Sequence, residues 1–413
     1  MHLIRPFRGL RPARGRASEV IAPPYDVLSS AEARVQAAGK PWSFLHISKP
    51  EIDLPETIDP YSPAVYAKAA ENLTRMIAQG MLVRDAEPAF YAYRILWGDH
   101  VQTGLVAAAA VAAYESGRIR RHEFTRPAKE DDRVRQIEAL DAQTGPVLMA
   151  YPAAPEVDVL LAAACAGEPD TDVVAEGGVR HALWVIADGA TIERLVAAFD
   201  AMPVLYIADG HHRSAAAARV AAARRAEAGP RTGDESHEFF LSVTFPHRQM
   251  RILDYNRVVT DLAGLGAAQF LEAVARLGTV QPSAVAVRPA AHGSFGLYLA
   301  GAWYRLDLRP ELVAVEDAVA RLDVSLLSDH VLGPILGIHD LRHDKRIDFV
   351  GGIRGLGELE RRVDSGEMAA AFAMHPTSME DLMAVADYGE VMPPKSTWFE
   401  PKLADGMVSH VLD

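Results

Sequence analysis

The chain has 413 residues, of which 49% are hydrophobic and 23% charged, so it is long enough for two or three folded domains and is not a disordered chain. Its 42 Lys and Arg residues against 55 Asp and Glu residues give a net charge of −13, which argues against nucleic acid as a partner. The single cysteine, Cys165, excludes an internal disulfide and a thiolate metal cluster. With no apolar run of about 20 residues and no secretory signal, we expect a cytoplasmic protein without a membrane partner.

Apolar spacing and turn residues predict helices and strands that alternate along the chain. The first part contains a helix at 61–80, a hairpin at 90–96 and 101–114, a helix at 129–142, strands at 146–151 and 204–207, and helices at 157–166 and 191–199. After residue 256 follow a helix at 267–277, a hairpin at 295–308, a long helix at 315–337, and strands at 347–350 and 369–374. The pattern indicates an α/β (α+β) fold with domains at 1–255 and 256–413.

Residues 204–220 contain the clearest candidate for a binding site. An apolar run ends at Asp209 and Gly210, and an Ala-rich segment with high helix propensity follows at once, which predicts a strand, a tight turn and a helix. Gly210 allows close approach to the backbone, and the N–H groups of a new helix favour a phosphate. His211, His212, Arg213 and Ser214 would add donors, and Asp209 could cap the helix or hold a cation. A capped helix with two surface histidines explains the same residues, and both interpretations stay open.

His122 and Glu123 form the best partner for this turn, because each stands at the boundary of a predicted element. A carboxylate that faces a helix N-terminus holding a phosphoryl group can take a proton from an attacking hydroxyl. The competing interpretation of Glu123 is a helix-entry charge or a surface ion pair. His339, His343 and Asp344 alternate with cations, which favours a solvated loop over a metal site.

A second group of candidates lies near the end of the chain. The segment Pro393–Phe399 contains Lys395, Ser396 and Thr397, which offer an ammonium and hydroxyls to an anion. Trp398 and Phe399 could equally serve only to anchor the chain terminus in the core.

Several of these motifs together resemble one known family. They are Arg5–Leu10 (Arg-Pro-Phe-Arg-Gly-Leu), Ala22–Val27 (Ala-Pro-Pro-Tyr-Asp-Val), His122-Glu123-x-Thr125, Asp209–Arg213 (Asp-Gly-His-His-Arg, DGHHR) and Pro393–Phe399. In this order, and over essentially the whole chain, they resemble the domain of unknown function 1015 family.

The DGHHR segment and the His-Glu pair also resemble, more distantly, the free serine kinases of the ParB/sulfiredoxin superfamily. That resemblance implies an elaborated ParB/sulfiredoxin-like core with additional N-terminal elements, in which the DGHHR segment holds nucleotide phosphates and Glu123 acts as base on a hydroxyl. Sulfiredoxin carries a reactive cysteine in the corresponding turn where this chain has histidine, so sulfinic acid repair is excluded. The connection between the two motifs is longer here than in the kinases, since residues 151–200 add elements.

These residues lead to one expected function and one alternative. We expect a kinase that transfers phosphate from ADP or ATP, with Mg²⁺ at Asp209, to the hydroxyl of a small molecule such as free serine. Glu123 and Asp209 would be catalytic, residues 210–214 would bind the nucleotide, and His122, Thr125, Lys395 and Ser396 would bind the substrate. We also expect Arg213→Ala to lower turnover and leave the fold intact. The alternative is a catalytically inactive, nucleotide-binding regulatory protein, and a homodimer is left open for both.

Overall fold

The computed structural model describes residues 2–227 and 232–413, which divide into two compact units. Unit 1 comprises Met1–Met250 together with Pro401–Asp413, and unit 2 comprises Arg251–Glu400. The expected C-terminal domain, 256–413, therefore differs from unit 2 at its end. The reason is that the last strand of the chain pairs with strands of the first unit, where its backbone groups find their hydrogen-bond partners.

Unit 1 contains the following elements, numbered in chain order. Its strands are β1 (Ile4–Arg5), β2 (Gly9–Pro12), β3 (Leu82–Arg84), β4 (Phe90–Trp97), β5 (His100–Ala110), β6 (Ile119–Arg120), β7 (Ala142–Gln143), β8 (Val147–Tyr151), β9 (Thr171–Val174), β10 (Arg180–Ile186), β11 (Leu205–Asp209), β12 (Phe239–Pro246) and, after unit 2, β21 (Ser409–Val411). Its helices are α1 (Ala17–Val20), α2 (Ser30–Ala37), α3 (Leu45–Ser48), α4 (Pro63–Ala78), α5 (Val111–Glu115), α6 (Pro127–Leu140), α7 (Pro155–Ala164), α8 (Gly189–Asp200) and α9 (His211–Glu227). The predicted hairpin at 90–96 and 101–114 is confirmed by the antiparallel pairing of β4 with β5, although β5 ends at Ala110 and α5 follows. A second hairpin is formed by β9 and β10.

The main sheet of unit 1 has the strand order β6-β11-β8-β12-β5-β4-β10-β9, with β1 paired to β5. Most neighbours are antiparallel, but β6 runs parallel to β11 and β8 runs parallel to β12. Parallel strands end at the same edge of a sheet. The segments that follow β6 and β11 therefore leave the sheet side by side.

Helix α9 packs its alanine-rich face inward. Its buried side chains are His211, Ser214, Ala215, Ala216, Ala217, Val220 and Ala221. Ala216 and Val220 form a small apolar cluster with Ile137 of α6 and Leu412 at the end of the chain. Because alanine has only a methyl side chain, the two helices can approach closely, and α9 is held rigidly behind the turn that precedes it.

Unit 2 is built on a separate sheet. Its strands are β13 (Arg251–Leu253), β14 (Tyr255–Val259), β15 (Gly278–Ser283), β16 (Ser294–Leu299), β17 (Ala302–Leu308), β18 (Ile347–Gly351), β19 (Ala370–Ala373) and β20 (Trp398–Glu400). Its helices are α10 (Ala267–Ala275), α11 (Pro310–Val313), α12 (Asp323–Leu327), α13 (Leu356–Asp364) and α14 (Met379–Asp387). The strand order is β15-β17-β16-β19-β14-β18, and β13 pairs with β20.

The predicted long helix at 315–337 is wrong. The structure has instead the five-residue α12, which is followed directly by a π-helical stretch at Ser328–Leu332. The Asp317 carboxylate accepts hydrogen bonds from two nearby backbone N–H groups, which favours a turn over a helix there. Gly333 and Pro334 follow the π-helical stretch, and proline cannot continue a regular helix.

Both units mix helices and strands, so the α/β class of the fold is confirmed. Within residues 2–227 and 232–413, none of the helices combines the length and the apolar character that a bilayer span requires.

Candidate functional site

The turn between β11 and α9 requires a glycine. Gly210 has a φ of +101°, which side chains with a Cβ rarely adopt. A Cβ at this position would lie 3.1 Å from Nε of Arg213 and 3.3 Å from the Cα of Val147. The Gly210 carbonyl accepts the N–H groups of Arg213 and Ser214, which starts the helix. The N–H groups of His211 and His212 belong to the first turn, where an α-helix offers them no acceptor of its own.

The parallel pairing of β6 with β11 brings the His122–Glu123 segment to this turn. The backbone N–H of His122 donates to Nε2 of His211 at 3.4 Å, and the two imidazole rings meet edge to face with centroids 4.5 Å apart. Oε2 of Glu123 lies 3.6 Å from Nδ1 of His211. The N–H of Arg126 donates to Nε2 of His212 at 3.0 Å. The structure thus brings together the two motifs that the sequence singled out, which lie almost 90 residues apart along the chain.

His211 is buried and uncharged. Burial, followed by the neighbouring His122, lowers its pKa well below the usual value for histidine, although Asp209 acts in the opposite direction. A neutral imidazole that accepts a hydrogen bond at Nε2 carries its proton at Nδ1. His211 therefore presents an N–H to Glu123, whose side chain is 52% exposed. This arrangement places the carboxylate beside the start of α9 and leaves it open to solvent.

His122 lies beneath the turn, because its side chain is only 2% exposed. Burial lowers its pKa to about 4, while a hydrogen bond with the Ile207 backbone and the charge of Asp209 act in the opposite direction. Its Nδ1 is buried and has no hydrogen-bond partner among the residues that the structure describes. His122 is therefore a neutral side chain that packs under His211.

Asp209 carries a negative charge at the end of β11. Burial raises its pKa, but Lys402 and Arg213 lower it more, and the resulting pKa is about 2. Nζ of Lys402 and a guanidinium nitrogen of Arg213 each lie 3.6 Å from one of its two carboxylate oxygens. The carboxylate is 35% exposed, so it is shared between two cations at the surface of the site.

Arg213 points into unit 1 and is 10% exposed. It donates to the Pro146 carbonyl and lies 3.7 Å from Asp26 and 3.6 Å from Asp209. Burial lowers its pKa, but Asp209, Asp26, Tyr25 and Asp405 together raise it above the usual value for arginine. Arg213 is therefore fixed by acidic residues of the protein itself.

A small cavity lies beside Arg213, with a volume of about 30 Å³, which is room for only a few water molecules. Tyr25, Arg133, Thr144 and Asp405 contribute polar groups to its wall. Asp405 is 2% exposed, and its burial raises its pKa to about 7 despite the nearby Arg213. The charged groups around this cavity therefore come from segments that are far apart in the sequence.

Lys402 and Asp405 were not predicted from the sequence, and Tyr25 and Asp26 were noted only as part of the family motif. A local signal existed for Tyr25 and Asp26, because consecutive prolines fix the backbone just before them. No local signal existed for Lys402 and Asp405, since unit 2 separates them from the rest of unit 1.

The other predicted site residues lie in different surroundings. Thr125 donates from its hydroxyl to Glu130. Ser214 is fully buried and donates to the His211 carbonyl at 3.0 Å. Lys395 and Ser396 belong to unit 2, where Ser396 donates to the Pro393 carbonyl. Their assignment to the same site as Gly210 stays a prediction.

Within residues 2–227 and 232–413, no group of three or more His, Cys, Asp or Glu side chains is arranged to hold a metal ion. Mg²⁺ commonly takes only one or two carboxylates from a protein and completes its coordination with phosphates and water. Asp209 is the acidic side chain at this turn that could contribute, although Lys402 and Arg213 already neutralise it.

The chain belongs to the family described as "Protein of unknown function (DUF1015)", whose profile matches residues 4–325. No curated protein is similar enough to be matched.

The solved structures that this chain matches include the following three. A conserved hypothetical protein from Pyrococcus furiosus is 14% identical, with a TM-score of 0.34, over 73% of this chain and 93% of that chain. Free serine kinase in complex with AMP is 11% identical, with a TM-score of 0.34, over 73% and 92% of the two chains. SbnI with a C-terminal truncation, from Staphylococcus aureus, is 13% identical, with a TM-score of 0.36, over 73% and 85%. At these identities and TM-scores, the likeness carries no conclusion about activity.

Proposed function

We propose that this protein is a nucleotide-dependent kinase that phosphorylates the hydroxyl group of a small molecule such as free serine. The observation that carries the proposal is the position of Glu123, whose carboxylate lies 3.6 Å from Nδ1 of His211, the first residue of α9. A half-exposed carboxylate beside the N-terminus of a helix can accept a proton from a hydroxyl while the helix holds the phosphoryl group.

The roles of the other residues follow from their burial and contacts. Gly210 and the first N–H groups of α9 bind the transferring phosphates, and His212 borders the same turn. The neutral N–H of His211 orients Glu123, so His211 is a positioning residue. Arg213 fixes the turn from the inside through Pro146, Asp26 and Asp209.

Asp209 and Lys402 stand at the open side of the turn. Lys402 adds a cation for phosphate oxygens, and its contact with Asp209 keeps it in place. In the same proposal Asp209 supplies one ligand to Mg²⁺, which would neutralise phosphate charge. The main sheet of unit 1 corresponds in this proposal to an elaborated ParB/sulfiredoxin-like core. The cytoplasmic location and the homodimer stay predictions.

The test uses the full chain with serine, Mg²⁺ and either ADP or ATP, and mass spectrometry for phosphoserine. Replacing Glu123 with Gln removes the base and keeps the shape of the side chain. We expect turnover to fall about 10²- to 10⁴-fold, with the nucleotide dissociation constant unchanged. The change should appear in kcat, because the base acts only in the transition state.

Three outcomes would contradict the proposal in different ways. Equal turnover in the Glu123→Gln variant would exclude Glu123 as the base. Nucleotide binding without turnover for serine or any other hydroxyl compound would favour the regulatory protein instead. If neither nucleotide bound, the phosphate site itself would be excluded.

A further inference from the structure

Unit 2 contains a fully buried arginine in β14, a strand that pairs with β18 on one side and β19 on the other. Arg257 lies in β14 with a relative exposure of 0%. Its guanidinium donates to the Tyr255 carbonyl and makes a long contact of 3.5 Å with the Pro394 carbonyl. Its Nε is buried and, within residues 2–227 and 232–413, has no hydrogen-bond partner. A guanidinium carries five N–H donors, so most of its hydrogen-bonding capacity is unused.

The surroundings of Arg257 provide no carboxylate to balance its charge. Among the described residues, no Asp or Glu lies within ion-pair distance of its guanidinium. The nearby Asp254 is already bonded to Asn256 and Arg288. Burial accordingly lowers the pKa of Arg257 to about 9, and the opposing influence comes from Tyr255.

Aromatic contacts do not compensate for this burial. The guanidinium carbon lies 5.2 Å from the centroid of the Phe349 ring, on the neighbouring strand β18. A single cation–π contact contributes less than the removal of a guanidinium from water costs. Proteins therefore normally bury arginine opposite an acid, and this position lacks one.

A second cation lies on the same side of β14. Nζ of Lys395 is 5.6 Å from the centroid of the Tyr255 ring, and Tyr255 and Arg257 are two residues apart on one strand. Side chains two apart point to the same face of a sheet. Lys395 is exposed and has a φ of +60°, a conformation that is uncommon for a residue with a Cβ. Such conformations are often found at functional sites.

We propose that Arg257 and Lys395 form a binding site in unit 2 for a small oxyanion, the phosphate or carboxylate group of an organic molecule. The exposed Lys395 makes the first contact with the anion. The anion then replaces the Pro394 carbonyl as the acceptor of hydrogen bonds from the guanidinium of Arg257. The rings of Tyr255 and Trp398, whose centroids lie 5.2 Å apart, border the organic part of the ligand. This inference concerns unit 2 alone and does not rest on the kinase proposal.

The test is isothermal titration calorimetry of the full chain with inorganic phosphate and, separately, with acetate. We expect at least one of the two to bind in the millimolar range or below. Phosphate alone would identify a phosphate-bearing ligand, and acetate would identify a carboxylate. If neither probe bound at millimolar concentrations, the proposal would be overturned.

Substitutions of Lys395 and Arg257 test whether the anion binds at this site. We expect Lys395→Gln and Arg257→Met to weaken the binding of the active probe at least tenfold. Lys345→Gln, which removes another exposed lysine of unit 2, should leave it unchanged. Equal binding by the wild type, Lys395→Gln and Arg257→Met would rule out the site. Lys395 is exposed, so its variant gives a result even if Arg257→Met fails to fold.

Phosphate bound at the turn of unit 1 can be told apart from this site. The Glu123→Gln variant should bind the anion at unit 2 with the same affinity as the wild type. The Lys395→Gln variant should bind nucleotide with the same affinity as the wild type. Trypsin cleavage after Lys395 gives an independent readout, because a bound anion should slow it several-fold in the wild type and have no effect on cleavage in Arg257→Met.

Discussion

Arg213 in unit 1 and Arg257 in unit 2 are both buried arginines, yet their environments are opposite. Arg213 faces the carboxylates of Asp26 and Asp209, and its pKa is raised. Arg257 has two carbonyl contacts and a phenyl ring, and its pKa is lowered to about 9.

These environments distinguish a buried arginine that stabilises the fold from a buried arginine whose charge is available to a ligand. A guanidinium that the protein already neutralises stabilises the folded state and has little left to offer a ligand. A guanidinium that is buried without an acid costs stability, and a bound anion would recover that cost. The contacts of Arg213 with Asp26 and Asp209 favour a scaffold role, and its direct contact with phosphate stays a prediction.

Arg213→Met tests this comparison most strongly. The variant leaves Asp26, Asp209 and Asp405 without their shared cation, so we expect a loss of about 3–5 kcal/mol in the free energy of unfolding, measured by urea denaturation. This differs from the sequence-based expectation that the fold would stay intact. Arg219→Met removes an exposed arginine of the same helix and should cost about 1 kcal/mol or less. Equal stability of the two variants would contradict the scaffold role of Arg213.

Asp405→Asn tests the acidic surroundings of Arg213 through the pH dependence of the stability of the protein. Because burial raises the pKa of Asp405 to about 7, the folded state keeps its proton between about pH 4 and 7 while the unfolded chain loses it. The wild type therefore loses stability relative to the Asn variant as the pH rises through this window, by roughly 2–4 kcal/mol. Denaturation of the wild type and the Asp405→Asn variant at pH 4 and pH 8 measures this change in relative stability. A constant difference between the two proteins would show that Asp405 does not titrate in this range.

Arg257→Met should act in the opposite direction to Arg213→Met. Removing a buried charge that has no acid partner is expected to raise the free energy of unfolding by about 2 kcal/mol, seen as a higher Tm in calorimetry. Saturating the wild type with a bound anion should narrow this difference. A large loss of stability would mean that the two carbonyl contacts and Phe349 already satisfy the guanidinium.

Gly210→Ala should have the smallest effect on stability. The positive φ and the contact with Arg213 are expected to cost about 1–2 kcal/mol. Gly177→Ala, also at positive φ but with open space around it, provides the matched control. A larger cost at Gly210 than at Gly177 would measure the contacts with Arg213 and Val147 beyond the strain of a positive φ. Equal costs would show that these contacts add nothing.

The sequence predicts much of the local structure. The apolar run that ends at Asp209-Gly210 and the alanines that follow predict β11 and α9 because each segment has a strong preference of its own. The helix at 315–337 was wrong because apolar spacing does not reveal a turn at Asp317 or a break at Gly333-Pro334.

The candidate site is only partly visible in the sequence. Glu123 and His211 could be paired because both stand where predicted elements meet. The inward direction of Arg213 depends on Asp26 and Asp405, whose approach is a property of the tertiary fold. Arg257 carried no signal either, since one arginine in a short strand gives no information about which acids will face it.

The return of the chain to unit 1 at Pro401 has a consequence for biosynthesis. Three parts of unit 1 are translated only after all of unit 2. They are strand β21, which pairs with β2 and β7, Lys402, which lies beside Asp209, and Asp405, which lies near Arg213. A nascent chain that has produced residues 1–250 therefore holds an incomplete sheet and a turn whose charges are not yet balanced. Domains usually fold as they emerge from the ribosome, in order. Unit 1 is therefore complete only after unit 2 has been synthesised. A chain released early would lack the groups that complete the site of unit 1.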